Sequence, residues 1–215
     1  MSEAASGTMR GAGKPSGQQI FIIDDDDAQR DSLVWLLESH GYAVSAFSGA
    51  REFLALWDGN SVGCLLLDVR MPGMSGLELF EELIRRHSVL PVIFITGHGD
   101  VAMAVAVLKK GATDFIEKPF SAEEMLKAVE NCLARESEER EHRFTRANTA
   151  LRLAQLTARE REVLDLIIMG KLNKQIADVL GISIKTVEVH RARVMEKMGV
   201  TTMASLIRQV VSAEL

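Results

Sequence analysis

Cys64-Leu65-Leu66-Leu67-Asp68-Val69-Arg70-Met71-Pro72-Gly73 places a continuous apolar run directly before a carboxylate and follows it with a Pro-Gly turn. A short apolar run bounded by turn residues reads as a strand buried on both faces, the kind that parallel sheets contain. Open parallel sheets bind ligands beyond the carboxyl ends of their strands, so Asp68 stands at the mouth of such a site. Upstream, Ile20-Phe21-Ile22-Ile23 runs into Asp24-Asp25-Asp26-Asp27 in the same manner. Three strand-end acids in one sheet suggest a divalent-metal site beside a nucleophile.

Outward from that stretch, short apolar runs alternate with amphipathic segments from Gln19 to about Leu133. Such alternation is the signature of a doubly wound α/β fold with a five-stranded parallel sheet, flavodoxin-like. The strands are expected at Ile20 to Asp24, Ala43 to Phe47, Cys64 to Asp68, Val92 to Thr96 and Asp114 to Glu117. Helices follow near Ala28 to Ser39, Ala50 to Trp57, Gly76 to Arg86, Val101 to Lys110 and Ala122 to Leu133. Ser75 with Glu78 and Ser121 with Glu124 have the spacing of capping boxes, which satisfy free amides of a first helical turn. Residues 19–133 therefore form one domain, residues 1–18 a Gly-rich disordered leader, and the Arg/Glu-rich residues 134–150 a linker or helix extension.

Beyond Leu151 every expected element is a short helix, giving a smaller all-α domain over residues 151–215. Thr157 and Glu160 make a third capping box, and the stripe of Val163, Leu164, Ile167 and Ile168 ends at Gly170. Asn173 is placed to cap a second helix closed by Gly181, and Ser183 a third from Ile184 to Met198 that Gly199 stops. A fourth fits Met203 to Val211. Helix, tight turn, helix is the arrangement that lays a second helix in a DNA major groove. On the third helix Ile184, Val187, Val194 and Met198 share one face, leaving Lys185, Thr186, Glu188, Val189, Arg191, Ala192 and Arg193 around the other. Lys and Arg neutralise phosphates, while Val189 and Ala192 are small enough to meet a thymine methyl. His190 reads equally as a half-buried packing residue.

The chain has 215 residues, 47% hydrophobic and 26% charged, ordinary for a soluble globular protein, with a net charge of -5. That charge is uneven: residues 1–132 carry 11 basic against 19 acidic groups, and residues 151–215 carry 10 against 7. An acidic front and a basic tail are suited to different partners. No apolar run approaches the ~20 residues that span a bilayer, and no signal peptide is evident, so a cytoplasmic protein with no membrane partner is expected. Cys64 and Cys132 suggest neither a disulfide framework nor a zinc site and read as plain thiols.

Asp24, Asp25, Asp68, Thr96 and Lys118 all fall at carboxyl edges of expected strands, which converge in a parallel sheet. One strand-end Asp is usually a loop residue or a helix cap; five such positions at ordered intervals are not. Clustered carboxylates need a cation to stay ionised, and an all-oxygen donor set favours magnesium. Lys118 adds a fixed positive charge and Thr96 a hydroxyl donor, a pocket suited to phosphoryl transfer onto a carboxylate. Asp26 and Asp27 read instead as first-turn acids favoured by a helix dipole. His98 reads as a loop residue able, with Arg70, to guide water.

Asp24-Asp25, Leu67-Asp68 with Met71-Pro72-Gly73, Thr96-Gly97 and Lys118-Pro119 together resemble the motifs of the receiver domain of bacterial response regulators. Leu156-Thr157-Ala158-Arg159-Glu160-Arg161-Glu162-Val163-Leu164, Asn173-Lys174-Gln175-Ile176-Ala177 and Lys185-Thr186-Val187-Glu188-Val189-His190 resemble the LuxR-type helix-turn-helix domain. The whole chain from about residue 19 thus resembles a FixJ/NarL-family response regulator, on the FixJ side through Thr96-Gly97-His98-Gly99-Asp100. The resemblance implies that Asp68 accepts phosphate from a sensor histidine kinase. It implies that Mg2+ is held by Asp25, Asp68 and the Arg70 backbone carbonyl, with Asp24 acting through water. It also implies a switch of Thr96, Lys118 and Phe115, a cis Lys118-Pro119 bond, and a homodimer on phosphorylation that binds promoter DNA, with RNA polymerase as a further partner. Such a chain is a switch that catalyses only its own phosphoryl transfer and slow autodephosphorylation. An aspartyl-phosphate hydrolase would want an acid two residues past its nucleophile, where Arg70 stands. A ligand-sensing LuxR-type receptor would need a pocket in place of the acidic cluster.

Overall fold

The computed structural model describes residues 17–59, 61–97 and 101–214. Most of the expected leader, and His98, lie outside the described residues. The chain divides into two compact units, Met1–Glu138 and Glu139–Leu215.

In the first unit β1 (Gln19–Ile23), α1 (Asp27–Ser39), β2 (Ala43–Phe47), α2 (Ala50–Leu56), β3 (Gly63–Asp68), α3 (Gly76–Arg85), β4 (Val92–Thr96), α4 (Val101–Lys109), β5 (Asp114–Glu117) and the start of α5 (Ala122–Ala154) alternate strictly. The strands pair in parallel in the order β2-β1-β3-β4-β5. Each inner strand is apolar on both sides because helices cover both faces. Phe21, Ile23, Leu65, Leu67 and Phe94 meet Phe53, Leu79, Phe80, Leu83 and Val107 of α2, α3 and α4. Their neighbours Ile20, Ile22, Cys64, Leu66 and Ile93 meet Leu33, Leu37, Met125 and Val129 of α1 and α5. The period-two alternation of strand side chains thus sends successive residues of one run into two cores.

Of the two readings of residues 134–150, the helix extension is the one formed: the helix expected to Leu133 runs unbroken as α5 to Ala154. Apolar residues that would pack cease there, yet no Gly or Pro interrupts residues 122–154, so the packed face ends while the helix continues. Asp26 is not in the first turn; it is the N-cap of α1, its carboxylate accepting from the Ala28 and Gln29 amides. Ser75 completes its capping box with Glu78, and the Ser121 hydroxyl accepts from the Glu124 amide at 3.1 Å.

The second unit holds α6 (Ala158–Ile168), α7 (Asn173–Leu180), α8 (Ile184–Met198) and α9 (Met203–Glu214). Thr157 and Glu160 form their capping box. Asn173 is the first residue of α7, not its cap; the Leu172 amide donates to the Gln175 side chain instead, at 2.9 Å. Gly181 closes α7 at φ 65°, a left-handed conformation that a side chain resists, and α8 begins three residues later. Val163, Leu164, Ile167, Ile176, Val187, Val194, Met198, Leu206 and Val210 make the core. Ile184, expected on the buried face of α8, is 47% exposed, whereas Val187 one turn further on is fully buried.

An ion pair between a buried carboxylate and a half-buried lysine ties α6 to α8: Lys197 Nζ lies 2.6 Å from Glu160 Oε2. The bond from Lys197, then the Thr157 amide, hold the Glu160 carboxyl down from 4.5 to about 2. A depressed carboxyl contributes stability that is complete above its unfolded value and is lost as pH falls through its folded one. Stability of this unit should therefore fall between pH 4.5 and about 2. Glu160→Gln should flatten that fall and cost about 2 kcal/mol at neutral pH by leaving Lys197 without its charged partner. Thermal melts of the full chain across that pH range check it; identical pH profiles for the two proteins would contradict the assignment.

Candidate functional site

The strand order reverses between β1 and β3, so the helices leaving those two strands go to opposite faces and open a crevice at their carboxyl ends. Asp24 and Asp25 directly follow β1, Asp68 ends β3, Thr96 ends β4, and Lys118 directly follows β5. Five positions spread over 95 residues of sequence thereby share one edge.

Asp24, Asp68 and Thr96 are buried, while Asp25 is exposed at the rim. Lys118 Nζ reaches Asp24 Oδ2 at 3.0 Å and Asp68 Oδ1 at 3.5 Å. The other Asp24 oxygen accepts from the Asp26 amide at 2.9 Å, and Arg30 donates to the Asp24 carbonyl at 2.8 Å. Both Asp24 carboxylate oxygens thus have protein donors, Lys118 on one and the Asp26 amide on the other. Burial raises the Asp68 carboxyl above its ordinary range; Lys118 pulls it down and Asp24 pushes it up again. The Lys118 amide bonds the Thr96 carbonyl at 2.6 Å, fixing β4 to β5 at the site, and the Lys118-Pro119 bond is cis.

One oxygen each from Asp24, Asp25 and Asp68 lies within 4.8 Å of the others. Lys118 reaches Asp24 and Asp68 of these three carboxylates, leaving an excess of negative charge that a hard, oxygen-preferring divalent cation fits. Arg70 is exposed two residues beyond Asp68, and Phe115 is half-buried against the core cluster under α2, α3 and α4.

Two contributors escaped the sequence reading. A Cβ at Gly76 would fall 2.1 Å from the Asp68 carbonyl oxygen, so α3 can start this close to Asp68 only on a glycine. Its neighbour Ser75 carried a visible cap signal; the crowding itself carried none. Arg30, which reaches back from α1 to the Asp24 carbonyl, likewise left no trace in spacing.

On α8, Lys185, Thr186, Glu188, Val189, Ala192 and Arg193 are exposed, whereas Arg191 and His190 are half-buried. The exposed set is a contiguous face of a helix that follows α7 across a tight turn, the geometry of a recognition helix.

Residues 20–130 match the response regulator receiver domain family, and residues 154–210 match the luxR family of bacterial regulatory proteins. The chain belongs to the response regulators. This response regulator is 46% identical to the transcriptional regulatory protein FixJ of Azorhizobium caulinodans over 199 residues, 93% of this chain and 94% of that protein. It is 45% identical to the C4-dicarboxylate transport transcriptional regulatory protein DctR of Rhodobacter capsulatus, covering 88% and 97%. Among solved structures it superposes on the response regulator StyR with a TM-score of 0.80 at 42% identity, covering 91% of this chain and 98% of that one. Full-length FixJ from B. japonicum gives 0.59 at 40% identity, covering 93% and 98%. The response regulator is a two-component transcription regulator, a receiver followed by a LuxR-type DNA-binding domain, and not a classical enzyme. A histidine kinase and promoter DNA are the partners such an architecture implies. Among the described residues no helix is long and apolar enough to cross a membrane.

Proposed function

We propose that Asp68 is the phosphoacceptor of a cytoplasmic receiver, taking its phosphoryl group from a sensor histidine kinase. One observation carries the reading: the Asp68 carboxylate sits 3.5 Å from Lys118 Nζ, with Asp24 and Asp25 clustered beside it. An Asp68 oxygen attacks phosphorus as the bond to the donor breaks, and the departing electron pair stays with the donor. Asp24, Asp25, Asp68 and the Arg70 carbonyl would hold Mg2+, which neutralises charge on the phosphoryl oxygens when bound. Lys118 supplies a further positive charge, and the Thr96 hydroxyl a donor to a phosphoryl oxygen. Thr96 and Phe115 then shift together and change the surface formed by α4 and β5. That change favours a homodimer, which places two α8 helices on adjacent half-sites of promoter DNA and brings RNA polymerase within reach. Slow loss of the phosphate by water attack returns the receiver to its resting state.

Treating the full chain with a small phosphodonor and Mg2+ tests the reading. The expected result is one acyl phosphate, mapped to Asp68, together with dimerisation in sedimentation and enrichment of one sequence from random DNA. Phosphate on any other residue contradicts it. Asp25→Ala should weaken Mg2+ binding, read by calorimetry, by about tenfold or more, since it removes one of few charged ligands. Unchanged affinity would remove Asp25 from the donor set.

On α8 the exposed cations and the small side chains should separate by their salt dependence. Lys185→Ala and Arg193→Ala are expected to weaken binding on all sequences and lower the salt slope by about one counterion each. Changes at Glu188, Val189 or Ala192 should leave the slope and alter the preferred site. Thr186 and the half-buried Arg191 complete the face. A Lys185→Ala protein with a new sequence preference and an unchanged slope would overturn this sorting.

A further inference from the structure

Two thiols away from the acidic edge have no part in the phosphoryl chemistry. Cys64 is the second residue of β3 and Cys132 lies on α5, 68 positions further on. Their sulfurs are 2.9 Å apart, with the Cys132 thiol donating to the Cys64 sulfur. Both are free and buried, within the cluster that also holds Ile20, Ile93, Ile116 and Val129. Sequence spacing suggests no such pairing, because the contact arises only when α5 folds back over the sheet.

Burial alone makes a cysteine inert, so access decides whether this contact matters. Cys132 lines a cleft of about 370 Å3 at the start of β5, together with Thr113, Asp114, Asn131 and Arg135. Cys64 does not line it and is fully covered. Cys132 is itself only 1% exposed, so an oxidant of two or three atoms reaches its sulfur as the cleft wall opens locally, and meets it before Cys64.

We propose that Cys64 and Cys132 form an oxidative modification site, a thiol pair that hydrogen peroxide converts to an intramolecular disulfide joining β3 to α5. The Cys132 sulfur attacks one peroxide oxygen, the O–O bond breaks, and the departing hydroxide takes the thiol proton as water, leaving a sulfenic acid. The Cys64 sulfur attacks that sulfenic sulfur, the S–O bond breaks, and a second water carries away the Cys64 proton. Two thiols are oxidised and one peroxide is reduced to two waters. Burial raises the Cys64 thiol well above its ordinary value, so at rest it does not compete for peroxide, and it reacts only as its proton passes to the departing sulfenic oxygen in contact with it. Because that electrophile forms in contact with it, the second step is unimolecular and outruns attack by another peroxide. Closing from 2.9 Å to a disulfide of about 2.05 Å requires the sulfurs to approach by roughly 0.9 Å. The link would fix α5 to the strand that ends, four residues later, in Asp68.

The full chain is treated with hydrogen peroxide, its remaining thiols are alkylated under denaturing conditions, and its intact mass is read without reductant. The expected product is about 2 Da lighter, takes no alkyl group and reverts with dithiothreitol. Trypsin should then release residues 52–70 linked to residues 128–135. Its unfolding midpoint should rise on oxidation and return on reduction, as a cross-link constrains the unfolded chain. Cys64→Ser and Cys132→Ser should each abolish the mass loss. Two alkylated thiols after treatment, a sulfinic gain of about 32 Da on Cys132 beside a free Cys64, or a disulfide-linked dimer would overturn the proposal. So would an unchanged midpoint in the oxidised chain. The wild-type mass and peptide map need no variant, so a poorly folding serine protein does not blunt the test.

Discussion

Asp68→Asn is expected to abolish phosphate uptake while leaving the receiver folded, with a fall in labelling rate of about a thousand-fold or more. The amide nearly matches the carboxylate in shape, but it offers no nucleophilic anion. The lost charge ends the longer of the two Lys118 ion pairs, while an amide oxygen can still accept from Lys118 and the Val69 amide. Burial raises the Asp68 carboxyl, so the ionised form costs stability at neutral pH, and a neutral amide removes that cost. Lys118 keeps Asp24 as its nearer partner, at 3.0 Å against 3.5 Å. The variant's unfolding midpoint should therefore be no lower than that of the wild type, and its DNA binding should no longer respond to a phosphodonor. Wild-type labelling of the variant under the same conditions would move the acceptor elsewhere.

Much of this site could be read from the sequence because a parallel sheet converts position along a strand into position in space. The apolar runs before Asp24, Asp68, Thr96 and Lys118 announce buried strands, and their ends share one edge whatever the strand order. The same logic fails where contacts depend on packing between elements. Cys64 and Cys132 touch because α5 lies across β3, and Arg30 holds the Asp24 carbonyl because α1 begins beside it. The sequence leaves residues 134–150 open between linker and helix extension for a related reason. Apolar periodicity reports the buried face of a helix, and the Arg/Glu-rich residues after Leu133 remain helical without one. Ile184 shows the converse, since a correct helical face does not say how far its neighbours reach.

Gly76→Ala joins fold and chemistry in one substitution. The added methyl would meet the Asp68 carbonyl oxygen at 2.1 Å and Leu67 Cγ at 3.1 Å, the first of these rigid backbone. Either α3 retreats, stretching the 3.0 Å bond from the Gly76 amide to the Val69 carbonyl, or the Asp68 backbone moves. The first course breaks the anchor of α3, and the second displaces Asp68, the proposed phosphoacceptor. Overpacking of this kind should cost about 1–3 kcal/mol, and displacing a nucleophile by about 1 Å can slow its reaction some 100-fold. Ser75→Ala separates the two effects: it removes the α3 cap and should cost about 1 kcal/mol, yet it leaves the Asp68 backbone uncrowded. Labelling with a small phosphodonor should then fall steeply in Gly76→Ala and little in Ser75→Ala, both measured at a temperature where each protein is folded. Equal labelling rates in the two variants would mean that the close approach of α3 serves only to pack the helix.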